Sequence, residues 1–170
     1  MWLHSRKLPK VLRPAIAAFL ARGVAAMVAQ APTGARFGVH LCLGDLRNKA
    51  LGKLTDAGPL VTLTNALAKA WPKDRQLEFV HVPLAAGDVP ASSLGPFYEP
   101  MRKLRLPAEV RFIAGFVHEK RTVTELGVTL RAIESAAGRQ VDLATACGLG
   151  RRTPEAAAET MTKAALLTNT

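Results

Sequence analysis

Residues 110–148 read VRFIAGFVHEKRTVTELGVTLRAIESAAGRQVDLATACG. The apolar run 110–117 predicts a strand. Thr122 and Glu125 then form a Thr-x-x-Glu capping box, in which each side chain satisfies a backbone N–H that a helix start leaves open. The helix so opened runs to about Ala137 and stops at Gly138, because glycine accepts the left-handed turn of a helix end. A second apolar run, 141–146, predicts another strand. Strand, helix and strand in this order make one βαβ unit, whose two strands are parallel and whose crossover is right-handed.

The same alternation extends in both directions. Upstream, strands are predicted over 36–42 and 77–82. The helix between them opens at Pro59 and closes at Pro72. Residues 43–58 read as a polar loop with room for a short helix, 83–94 as a Gly/Pro/Ser-rich loop, and 96–106 as a turn or two of helix. Downstream, Thr153, Pro154 and Glu155 supply a cap, a first-turn proline and a first-turn acid for a helix ending near Leu167. The whole is an α/β chain with a parallel sheet of four (β/α) units in one domain, 1–170.

A basic tail and helix occupy 1–31. Pro14 starts the helix, and Ile16, Phe19, Leu20, Gly23, Met27 and Val28 recur at helical spacing. The segment also has the outline of a signal or transit peptide. Arg22 interrupts its apolar run, and the helix is the preferred reading. No run is long enough to span a membrane.

The chain carries 23 basic and 13 acidic residues among 170, a net charge of +10. Nine of the basic residues and one acid, Asp45, precede residue 54. Such a front end suits an anionic partner. The charges are scattered among Ala and Leu, without zinc-finger spacing or an aromatic-basic RNA motif, so nucleic acid is not the expected partner. Two distant cysteines, Cys42 and Cys147, do not make a secreted disulfide framework. They suit free thiols in the cytoplasm, or metal ligands.

Histidines and cysteines gather at one level of the fold. His40, His81 and His118 fall at or beside predicted strand ends, and Cys42 and Cys147 end the first and fourth strands. Parallel sheets place their sites at the carboxyl ends of strands. His40 and Cys42, two apart on a strand, face the same way. Imidazole and thiolate suit zinc, and a catalytic zinc keeps three protein ligands and one open position. Cys147 is the third candidate ligand and His81 the additional one. For any one of these residues alone, a buried thiol or a histidine bonded to a carbonyl is the simpler reading; the set favours a metal. The Gly148–Arg152 stretch, glycines followed by arginines ahead of a helix, is a weak phosphate-binding pattern. Asp45, His118 and Arg151 are substrate-binding candidates, and no catalytic residue is assigned.

The segments HLCLGD (40–45), LEFVHVP (77–83), FIAGFVHE (112–119) and ATACGLGRR (144–152), in that order, resemble the second half of cobalamin-independent methionine synthase relatives, above all the small single-barrel members. The resemblance covers residues 36–166. It implies half of a (β/α)8 barrel and a zinc held by His40, Cys42 and Cys147. It also implies transfer of a methyl group to a thiol that the zinc holds as thiolate. The family has a glutamate ligand where this chain has His81. Four strands are half the family's barrel, so a homodimer or a complementary half-barrel chain is the expected partner. The alternative is a non-catalytic fragment or interaction module that uses its exposed sheet edges.

Overall fold

The computed structural model describes residues 9–43, 45–46, 49–50, 54–85, 94–150 and 152–168. The elements run α1 (Arg13–Ala29), β1 (Arg36–His40), β2 (Asp45–Leu46), β3 (Lys49–Ala50), α2 (Gly58–Ala70) and β4 (Gln76–Pro83). They continue with α3 (Leu94–Tyr98), a 3-10 turn (Glu99–Lys103), β5 (Arg111–Val117), α4 (Val123–Ala137), β6 (Asp142–Thr145) and α5 (Pro154–Thr168). The strand and helix alternation expected from the sequence is present. The two-residue strands β2 and β3 pair antiparallel inside what reads as loop. Residues 1–8 of the basic tail lie outside the described part.

The main sheet is parallel, in the order β1-β4-β5-β6. This is chain order with no reversal. Right-handed crossovers then put every helix on the same face. Accordingly α1 packs on α2, the 3-10 turn bridges α2 and α4, and α4 packs on α5. A partial (β/α) barrel has this arrangement; a doubly wound sheet does not.

The two faces differ in burial. Val80, Val82, Phe112 and Ala114 point to the helices and are at most 2% exposed. Register puts Gly38, His40, Phe79, His81, Ile113 and Gly115 on the opposite, concave face, where His40 is exposed and His81 and Ile113 are half-buried. Truncating Phe112 to alanine would cost about 3–5 kcal/mol, the usual loss for a buried aromatic. Tyr98, sealed under the 3-10 turn, donates its hydroxyl to the Leu84 carbonyl at 2.9 Å, and burial pushes its pKa up.

Helix ends follow their signals. Thr122 Oγ1 accepts the Glu125 N–H at 3.2 Å, and Glu125 Oε2 accepts the Thr122 N–H at 2.8 Å. Gly138 closes α4 with φ of 67°, a conformation that only glycine adopts freely. At α5, the Ala156 N–H donates to Thr153 Oγ1.

The helix α1 is present, and its buried face is made mostly of small residues. Ala17, Ala21 and Val28 are buried, while Phe19 and Met27 are each 69% exposed. Small residues let α1 approach α2 closely. β1 is an edge strand, so among the described residues no further unit covers the larger side chains. No helix among the described residues is long and apolar enough to cross a membrane.

Candidate metal centre

The rim is built where β1 and β6 end. His40 is the last residue of β1. The Leu41 N–H still donates to the His81 carbonyl at 2.9 Å, so the ladder runs one residue further. Leu41 and Leu43 are buried, and His40 and Cys42 between and beside them are exposed. That alternation keeps imidazole and thiol on the same side. Cys147 lies two residues past β6. Thr145 Oγ1 donates to the Cys147 carbonyl, and the Arg152 N–H donates to the Leu149 carbonyl at 2.9 Å, which turns the segment back on itself.

One ligand atom each from His40, Cys42 and Cys147 lies within 4.8 Å of the others. β1 and β6 are the two edges of the sheet, and in a flat sheet three strand spacings would hold them about 14 Å apart. Coiling of the sheet and inward turns after both strands close that gap. Tetrahedral zinc spaces sulfur and nitrogen ligands by about 3.3–3.8 Å. The three residues fit such an ion after a movement of about 1 Å. Two thiolates and a neutral imidazole also balance a divalent charge. Neither cysteine is in a disulfide.

His81 is not one of the three. Its Nδ1 lies 2.9 Å from His40 Nδ1, and its Nε2 lies 2.9 Å from the Thr145 carbonyl oxygen. The two rings are 4.6 Å apart and tilted by 39°. To reach β6 from β4, the His81 ring passes over β5 at Gly115. A Cβ built there would meet His81 Nε2 at 2.7 Å and the Thr145 oxygen at 2.8 Å. Partial desolvation of its ring lowers the pKa of His40, although the residue as a whole is exposed. Burial also lowers that of His81, helped by the charge of His40 and opposed by the Thr145 bond. Both shifts favour the neutral ring, the form in which imidazole binds a metal.

His118 joins a different group. It is 8% exposed, and its Nδ1 accepts the Lys120 N–H at 3.2 Å and lies 3.2 Å from Glu119 Oε2. That same oxygen accepts from Arg152 Nε at 2.8 Å and from Thr160 Oγ1 at 3.3 Å. The Lys163 ammonium donates to the Glu119 carbonyl. This cluster ties the end of β5 to α5. Burial alone would raise the Glu119 pKa, but the Arg152 hydrogen bond and neighbouring charges bring it below its ordinary value. Arg152 is thereby held inside the protein rather than offered to an anion. The side chain of Asp45 and all of Arg151 lie outside the described part.

Glu78, just upstream of His81, pairs with Arg36. Thr145, Gly115 and Glu119 are the residues of the rim that sequence reasoning passed over. A glycine inside a strand marks a close approach and was the available signal for Gly115. No family model, no curated protein and no solved structure matches this chain.

Proposed function

We propose that the chain is a zinc-dependent, methyltransferase-like domain that activates a thiol substrate. The observation that carries the metal part is the convergence of His40, Cys42 and Cys147 from opposite edges of the sheet. The reaction class rests on the resemblance of the strand-end motifs to the methionine synthases, and with it a role in methionine biosynthesis. Zinc, when bound, supplies a Lewis acid that holds a substrate thiol as thiolate at neutral pH. The protein's own part is to present two thiolates and one neutral imidazole and to leave the fourth position to the small-molecule thiol. Two cysteine thiols suit the reducing cytoplasm.

The domain works completed by a second half, a homodimer mate or a complementary half-barrel chain. β1 and β6 each pair on one side only among the described residues. The helices beside those edges also expose apolar side chains: Phe19 and Met27 on α1, Met161 and Leu166 on α5. Unpaired edges and bare apolar faces together favour a partner. The same observations carry the second reading, an interaction module without chemistry.

Elemental analysis of protein purified without chelator decides between them. The metal-centre reading expects near one zinc per chain, lost in Cys42→Ala and Cys147→Ala. Metal-free wild-type protein that takes up no added zinc would leave the interaction module. Light scattering at micromolar concentration is expected to show a dimer or a complex; a monodisperse monomer would overturn the partner.

A further inference from the structure

A hydrogen-bonded chain crosses the whole sheet. It runs from the Thr145 carbonyl on β6, over Gly115 on β5, through His81 on β4, to His40 on β1. We propose that His81 is a positioning residue of the metal centre rather than a fourth ligand: it fixes the His40 ring with its proton on Nδ1 and its lone pair on Nε2. The inference rests on the metal-centre reading above and deepens it.

Counting donors and acceptors fixes both tautomers. A carbonyl oxygen only accepts, so the 2.9 Å contact with Thr145 requires a proton on His81 Nε2. A neutral imidazole has one N–H, so His81 Nδ1 is then an acceptor. The 2.9 Å contact between the two Nδ1 atoms is attractive only if His40 supplies the proton. His40 Nε2 is left with a bare lone pair, and with Nδ1 engaged by His81 it is the nitrogen that remains to bind a metal. The opposite tautomers would set the lone pairs of His81 Nε2 and the Thr145 oxygen against each other. A backbone carbonyl three strands away thus dictates the protonation of the ligand. Ligating histidines are commonly oriented in this way by a hydrogen bond at the other ring nitrogen. Both nitrogens of His81 are already engaged, so ligation by His81 would break one of the two bonds.

Gly115 supports the same reading from an independent direction. Any Cβ there would also come within 3.0 Å of Ala146 Cα, a backbone atom that cannot swing aside. β5 is bare where the ring crosses it.

The test has three readouts on the full chain. Nitrogen-15 NMR of the metal-free wild type reads the tautomers directly; His40 protonated on Nδ1 and His81 on Nε2 is expected, and the reverse at either ring overturns the proposal. X-ray absorption of the protein loaded with zinc alone counts ligands; two sulfurs and one imidazole are expected, and two imidazoles make His81 a ligand. Affinity for Co²⁺, by titration, is compared across His81→Gln and His81→Leu. A glutamine can accept from His40 and donate to Thr145, so its loss is expected to be under tenfold. Leucine can do neither, and a 10–100-fold loss with unchanged sulfur ligation is expected. Equal affinity of His81→Leu and wild type overturns the proposal. Should the wild type bind neither Zn²⁺ nor Co²⁺, the metal-centre reading falls, while the tautomers still report whether the relay exists.

Discussion

His81 and His118 sit at the ends of adjacent strands, yet they belong to different structures. His81 lies over the concave face, and its two nitrogens link β1 to β6. His118 is just past β5, almost wholly buried, and joins the Glu119, Arg152 and Thr160 cluster that fastens α5. The difference comes from what surrounds each ring. Gly115 clears a path across the sheet for the first. An Arg–Glu pair closes round the second. A histidine at a strand end therefore says where a side chain starts and nothing about which network takes it.

Removing a candidate ligand has the largest expected effect. Cys42→Ala or Cys147→Ala is expected to leave under a tenth of the wild-type zinc after dialysis against a weak chelator, with thermal stability of the metal-free chain little changed. If either variant retains full zinc, the rim is not the site, and His81 has no metal centre to serve.

Gly115→Ala comes next. The new methyl meets His81 Nε2 and two backbone atoms at 3.0 Å or less. Overpacking of this kind costs about 1–3 kcal/mol. Because the ring is displaced, Co²⁺ affinity is expected to fall as far as in His81→Leu. A variant that loses stability but keeps its affinity would separate Gly115 from the relay.

The other side of the comparison is tested at Arg152. Arg152→Ala leaves the largely buried Glu119 carboxylate without its guanidinium, at a cost of about 1–2 kcal/mol for a partly exposed charged bond. Metal affinity is expected to change less than tenfold, since Thr145 still holds the Cys147 carbonyl. A loss as large as that of Cys147→Ala would merge the two networks. The pH dependence has a definite sign. The Glu119 pKa is lower in the folded state than its ordinary 4.5. Its contribution is present above that value and is lost as pH falls through the folded one. Stability of Glu119→Gln, followed by urea unfolding, should therefore fall less steeply below pH 4.5 than that of the wild type.

What the sequence disclosed and what it hid divide along the same line. Local signals were legible: the Thr122–Glu125 box, Gly138 after α4, and Thr153 with Pro154 before α5 act within one turn of chain. The strand ends followed from these, and so did the place of His40, Cys42 and Cys147 at the rim. The hairpin β2–β3 was hidden because two-residue strands carry no period. The reach of His81 to Thr145, across 64 residues and over a third strand, depends on how the sheet coils. The pairing of Glu119 with Arg152 likewise joins two loops that only the fold brings together. The burial pattern of α1 lay beyond the sequence for a related reason. Helical spacing identifies a face, but the neighbour decides which face is covered, and α2 accepts the alanines of Ala17 and Ala21 rather than Phe19 and Met27.

The smallest effect concerns a third buried polar side chain and runs in the opposite direction. Thr64, His118 and Thr160 are the buried polar residues among those described. Thr160 shares its single hydroxyl proton between the Ala156 carbonyl at 2.7 Å and the Glu119 carboxylate at 3.3 Å. Thr64, fully buried in α2, has no partner for its Oγ1. An unmet hydroxyl in an apolar setting costs more than the methyl that would replace it. Thr64→Val is therefore expected to stabilise the chain by about 1 kcal/mol, read as a rise of about 2–4 °C in Tm for a domain of this size. Thr160→Val, with the same change of atoms, should destabilise by a similar amount, because it strips a bond from the Glu119 cluster. Equal shifts in the two variants would mean that the cluster gains nothing from Thr160. The ion pair of Glu119 with Arg152 would then stand alone as the tie between β5 and α5.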